Sequence, residues 1–286
     1  MWTISKLTFK EMISKRIFLI TIIMTLVFLA LYGTAIYFGS KEIPDNGAGT
    51  EAFLLQQFVA SQLLGVGLYF SSFITALLAI LSSVSAISGE VSSHQIDTWL
   101  MRPISRAQFV LGKFFGLALL MIAYAVGLFF SIILIHQGIG AEWMELAIKP
   151  VQMIKAVSVF SIMPFVLIAF GVLLSTRMTT LNAGIVSIIL YGATFIGGFI
   201  EQVGAIIEKE ILVNIGIIMS LIFPIDSMYR KMTILLFDTA DNPLSLAQGG
   251  MFTSISNPSN VMIWYAVLYG ILAVLLSIYS FTKRDV

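Results

Sequence analysis

The chain has 286 residues, of which 58% are hydrophobic and only 11% are charged, and its formal net charge is +1. Soluble domains carry about 25% charged residues, so this chain has too few to cover a globule of its size. The composition therefore excludes a soluble enzyme, a disordered chain and a nucleic-acid-binding protein, and indicates an all-α polytopic membrane protein. Because there is no cysteine, the chain has no disulfide, thiolate nucleophile or cysteine metal site.

Residues 1–16 form the first predicted element, an amphipathic helix lying on a membrane surface. Its apolar residues recur at near-helical spacing, with basic residues between them. The alternative interpretation is a positively charged flank that only fixes the orientation of the chain. The apolar residues are Ile4, Leu7, Met12 and Ile13, and the basic ones are Lys6, Lys10, Lys15 and Arg16.

Six apolar stretches are long enough to cross a bilayer, which requires about 20 residues each. Inside them the formal charges are Lys113 and Lys155, each near a span end, where a lysine reaches the headgroups. We therefore expect no ionisable group buried at mid-membrane in these spans. The predicted spans are residues 17–38, 58–87, 109–135, 153–175, 180–200 and 261–281.

A shorter apolar run covers residues 211–223 and ends at Pro224. Thirteen helical residues extend about 20 Å, less than the hydrocarbon thickness of about 30 Å. We predict a re-entrant or interfacial helix within an outer loop of residues 201–260.

The loops differ in charge. With six spans, the side that holds both termini has ten basic and four acidic residues, against six and eleven on the other side. Because basic loops stay in the cytoplasm, both termini are predicted to be cytoplasmic.

The loop of residues 88–108 is the longest on the predicted cytoplasmic side. A short helix is expected from Gln95 to Met101, where Ile96, Trp99 and Leu100 share one face. Pro103 ends this helix, and Ser105 caps the next one. The apolar face, with its basic rim, is a docking surface for a partner; the alternative is that it packs on the protein's own membrane surface.

Motifs for independent chemistry are absent from the sequence. There is no G-x-x-x-x-G-K-[ST] phosphate loop and no HExxH or GxSxG motif. Energy for uphill transport would therefore have to come from another chain.

The loop and its flanks carry a family resemblance. Glu90, followed by a polar stretch, then WLMRPISR at residues 99–106 and LGK at residues 111–113, resembles the signature of membrane subunits of ABC-2 type ABC transporters. The Gly-Thr-Leu usual after the glutamate is replaced by residues 93–96, SHQI. The resemblance implies a type V exporter-like fold over the whole chain.

What the resemblance implies about assembly is specific. Two membrane subunits, as a homodimer or a paralogous heterodimer in a prokaryotic cell membrane, would each dock on a separate ATP-binding subunit. The partner would bind ATP and Mg, whereas this chain would bind no cofactor and catalyse nothing alone. The 88–108 loop would be the coupling loop, with docking residues Glu90, Gln95, Ile96, Trp99, Leu100, Arg102, Pro103 and Arg106.

Small residues in the second and fifth spans suggest a translocation path or a subunit interface, with plain helix packing as the alternative. They are Ser71, Ser72, Asn182, Gly184 and Ser187.

Two other functions stay open on the sequence alone. One is a non-transporting scaffold, regulatory or immunity subunit, and the other is a permease for copper-enzyme maturation.

Overall fold

The computed structural model describes residues 1–42, 50–96, 104–237 and 256–284, and these residues are overwhelmingly helical. A 3₁₀ turn at Glu142–Met144 follows the fifth helix. In chain order the helices are α1 (Trp2–Ser14), α2 (Arg16–Glu42), α3 (Thr50–Ser83), α4 (Ser88–Ser92), α5 (Arg106–Ile139), α6 (Pro150–Ser175), α7 (Thr180–Ile206), α8 (Glu210–Ile222), α9 (Ile225–Phe237) and α10 (Asn260–Thr282).

Six helical segments in the described residues are long and apolar enough to cross a membrane, which confirms the predicted all-α, six-span architecture. The second segment, Leu55–Ser92, joins α3 to α4. Most of these helices are longer than the predicted spans, because the backbone stays helical for some residues beyond the apolar stretch. In particular α7 ends at Ile206, which brings the buried Glu201 into a span. Glu201 lies near the C-terminal end of α7, so the absence of an ionisable group at mid-membrane stays a prediction.

Polar residues set where the long helices begin. The Ser105 side chain accepts a hydrogen bond from the backbone N–H of Gln108 at 3.2 Å, which is the predicted cap of α5. Pro150 occupies the first turn of α6, where its missing N–H costs nothing. Thr179 caps α7 in the same way as Ser105 caps α5.

The bundle is built around α3, α5 and α6, which pack against one another and are the most buried of the spans. The helix α1 lies along α5, and α9 and α10 lie along α6. The spans α2, α7 and α10 expose most of their apolar side chains, as lipid-facing or partner-facing helices do.

After α7 the chain turns back on itself, and α8 packs along α7 as an antiparallel hairpin. The break at residues 223–224 then bends the path by 107° into α9. Pro224 explains the break because it can donate no backbone hydrogen bond. The bent pair fits either a re-entrant loop or a broken seventh span, so the re-entrant segment stays a prediction.

Candidate functional site

The predicted coupling loop is described at both of its ends. Helix α4 is followed by a turn in which His94 has a φ of 55°, and residues 95 and 96 are helical. Gln95 is exposed, whereas Ile96 is buried within this chain. The predicted docking residues Trp99, Leu100, Arg102 and Pro103 lie outside the described residues.

Glu90 is buried and forms an ion pair with Lys113, about two turns after the start of α5. The Lys113 Nζ also lies 3.0 Å from Glu11 Oε2 on α1. The other Glu11 oxygen lies 2.9 Å from Lys15 Nζ. These four residues, here the Lys113 cluster, connect α1, α4 and α5.

Charges in the Lys113 cluster balance, since two carboxylates face two ammonium groups. Burial raises the pKa of Glu11, but Lys113 and Lys15 outweigh that effect and leave its pKa below the usual value. Lys113 is only 3% exposed, so removing its partners would strand a buried charge. The Glu90 Oε2 atom has no hydrogen-bond partner among the described residues, which leaves this carboxylate incompletely satisfied.

The far end of the loop is held by Arg106. Its Nη1 donates to the carbonyl oxygens of Phe281, Thr282 and Arg284, at 3.3, 3.2 and 2.6 Å. A cation at the last carbonyls of α10 complements the negative end of that helix. Arg284 in turn donates to the carbonyl of Thr176 at 2.6 Å. Arg106 thus joins the start of α5 to the chain's last described residues, and its docking role stays a prediction.

A second connection runs from the turn before α4 to α6. The backbone N–H groups of Ile87 and Ser88 donate to Ser175 Oγ at 2.9 and 2.8 Å. The Ser88 hydroxyl lies 2.8 Å from the hydroxyl of Thr180, at the start of α7. This end of the loop therefore contacts three other spans, α5, α6 and α7.

The predicted path residues do not form one surface. Ser71, Ser72 and Ser187 are buried, and each hydroxyl donates to a backbone carbonyl of its own helix. Ser72 faces a small cavity shared with Tyr191 and Thr194 of α7. Asn182 is exposed, and nothing lies within 4 Å of a side chain added at Gly184, about two turns from that cavity. Their role in a path stays a prediction.

Sequence reasoning missed a buried ion cluster at the α7–α9 junction. Arg230 donates Nη1 and Nη2 to the two oxygens of Glu201, both at 2.7 Å, in a bidentate pair. Its Nε donates to Asp226 Oδ2 at 2.9 Å, and its Nη2 lies 3.3 Å from Ser220 Oγ on α8. Glu201, Asp226 and Arg230, here the Arg230 cluster, carry a net charge of −1.

Two signals in the sequence could have revealed this cluster. Asp226 and Arg230 are spaced i, i+4 on a helix, which suits an ion pair. The glycines Gly197 and Gly216 let α7 and α8 approach so closely that a Cβ at Gly216 would lie 2.7 Å from the Gly197 carbonyl oxygen. A cavity of about 270 Å³ lies beside the cluster, lined in part by Ser220, Ser227 and Asn257.

Comparison with known proteins identifies the family. A family model described as "ABC-2 family transporter protein" matches residues 2–286. A search of curated proteins finds none that matches this chain.

Proposed function

The chain belongs to the ABC-2 family of transporter proteins, and from that premise we propose that it is the permease subunit of an ATP-driven exporter. The observation that carries the proposal is a family match over nearly the whole chain, together with six helices able to cross a membrane. In this role the chain forms the translocation path and hydrolyses no ATP itself.

The division of labour follows from the missing phosphate loop. ATP and Mg bind in a separate ABC subunit, present in two copies, because this sequence holds no phosphate-binding motif. A second membrane subunit, either identical or paralogous, completes the complex. The complex lies in a prokaryotic cell membrane with both permease termini in the cytoplasm, as the charge bias of the loops indicates.

The coupling loop of residues 88–108 is the proposed contact with the ATP-binding subunit. Both of its ends are fixed within this chain. Glu90 forms an ion pair with Lys113, and Arg106 donates hydrogen bonds to backbone carbonyls at the end of α10. A loop that is anchored at both ends transmits its displacement by a bound partner to the spans better than an unanchored loop would. Trp99 and Leu100, on the predicted apolar face, are the proposed anchors in the partner's cleft.

Trp99→Ala tests the docking role. Truncating an aromatic anchor costs about 2 kcal/mol, so affinity for the ATP-binding subunit should fall about thirtyfold. Trp264→Ala is the matched control, because Trp264 lies on α10 and is 75% exposed. The measurement is co-purification and binding of the ATP-binding subunit, with detergent stability checked in parallel.

Full binding by Trp99→Ala would show that the loop lies on the protein's own membrane surface instead.

A transporter also differs from a scaffold in one measurable way. The ATP turnover of the assembled complex should rise when the cargo is added, whereas a scaffold's turnover should be indifferent to any cargo.

A further inference from the structure

Helix α1 and span α5 are in direct backbone contact. Gly112 and Gly116 lie one turn apart on α5, and α1 packs against both of them. A Cβ at Gly112 would lie 2.7 Å from the Ile4 Cβ, and a Cβ at Gly116 would lie 2.6 Å from the Ser5 carbonyl oxygen. Small residues at this spacing allow close helix packing. Helix α1 is therefore seated on α5 rather than only resting on a membrane surface.

Lys113 stands between those two glycines and connects this pair of helices to the loop. Its buried ammonium contacts Glu11 of α1 and Glu90 of α4 at the same time. Because Lys113 and Glu90 are both buried, pulling Glu90 away would leave the ammonium with only the partly exposed Glu11 as a partner. The neutral hydrogen bonds of the α3–α4 turn to Ser175 connect the loop to α6 but do not reach α1.

A small cavity of about 10 Å³, room for about one water molecule, marks the seam between these elements. Thr8 of α1 lines it from one side, and Ser82 and Ala86 at the end of the second span line it from the other. The Thr8 hydroxyl is buried and has no hydrogen-bond partner among the described residues. Any separation of the loop from α1 and α5 would open this seam to solvent.

We propose that Lys113 is a positioning residue that holds α1, α4 and α5 together as one unit, so that displacement of the coupling loop by the ATP-binding subunit moves α1 and α5 with it. The inference rests on the proposed function, since it needs a partner that moves the loop. Lys113 itself touches neither nucleotide nor cargo.

The test uses the cysteine-free chain in its complex with the ATP-binding subunit. A single Thr8→Cys reports on the seam through its rate of reaction with a water-soluble maleimide, measured with and without ATP. With Lys113 present, the rate should be slow in both conditions. With Lys113→Met, the rate should rise about tenfold only when ATP is bound, because the loop then moves and leaves α1 behind.

Three companion variants sharpen the result. Lys113→Arg keeps the charge and should restore slow labelling. Glu90→Gln weakens the same connection but leaves Lys113 paired with Glu11, and it should reproduce the ATP-dependent rise if Lys113→Met does not fold. Lys155→Met removes an exposed lysine from the end of another span and should change nothing.

Two sets of results would overturn the inference while leaving the proposed function intact. One is faster labelling with ATP when Lys113 is present, which would show that the loop separates from α1 in the normal cycle. The other is an unchanged rate in both Lys113→Met and Glu90→Gln, or a rise that is equal with and without ATP. Failure of the unmodified chain to retain any ATP-binding subunit would instead refute the proposed function.

Discussion

At the scale of single residues, the molecule uses the same device twice, one cation shared by two carboxylates. Lys113 joins Glu11 to Glu90, and Arg230 joins Glu201 to Asp226. The choice of cation differs with geometry. The planar guanidinium matches Glu201 with two parallel bonds, whereas the compact ammonium of Lys113 acts as a point charge between helices.

Arg230→Met should destabilise the protein by about 3–5 kcal/mol, because it leaves two buried carboxylates without their cation. Thermal unfolding in detergent measures the effect. The double variant Glu201→Gln/Arg230→Met should recover part of the loss, since it leaves one charge fewer unpaired. Glu208→Gln, in the exposed turn after α7, is the control and should stay close to the parent. If the Arg230→Met variant unfolded at the same temperature as the parent protein, the assigned role of the pair would be contradicted.

The pKa of Glu11 gives a second prediction. Since its folded pKa lies below the usual value of 4.5, the carboxylate stabilises the fold above that pH, and the contribution disappears as pH falls through the lowered pKa. Glu11→Gln should therefore reduce stability at pH 7 by less than about 1 kcal/mol, because the group is partly exposed. The gap between variant and parent should close on acidification. A gap that persists at a pH below the folded pKa of Glu11 would mean that packing, not charge, explains the effect.

At the scale of helices, close approach is decided by individual glycines. Gly171 of α6 faces Ser83 at the end of α3, and a Cβ there would lie 2.7 Å from the Ser83 Cβ. Gly127 on α5 has nothing within 4 Å of the same position. The two positions are thus chemically alike and differ only in their neighbours.

Gly171→Ala should destabilise by about 1–3 kcal/mol through overpacking. Gly127→Ala should be neutral or should stabilise by up to about 1 kcal/mol, because alanine favours a helix. Retention of α-helix content and the melting temperature of each purified variant provide the comparison. Equal melting temperatures would indicate that α3 and α6 can shift apart without penalty.

The sequence predicted the helices better than their contacts. Apolar run length placed the six spans, and the cap at Ser105 was readable because capping is local. The Glu201–Arg230 ion pair could not be predicted in this way, because 29 residues separate its members and each lies near a stretch that the sequence predicts as loop. Glu90 shows the same limit: its position in the loop was predictable, whereas its ion pair with Lys113 depends on how α4 meets α5.

At the scale of the whole molecule, the six spans and the loop charges imply one orientation. Single cysteines at Lys6 and Lys283 should react with an impermeant maleimide only after the membrane is opened, because both termini are expected inside. A cysteine at Lys209, exposed between α7 and α8, should react in intact cells. Reaction of Lys283→Cys from outside would exclude an even number of spans and favour a broken seventh span through α8 and α9.

The Glu201–Arg230 pair also sets an order on biosynthesis. Glu201 emerges from the ribosome 29 residues before Arg230 and lies in the C-terminal half of α7. A carboxylate placed among lipid tails without its cation is unfavourable, so α7 is expected to remain loosely held at the insertion machinery until α9 has been made. We expect α7 to settle in the bilayer only together with α9, and a stop in translation between the two residues should leave the fifth span less stably inserted.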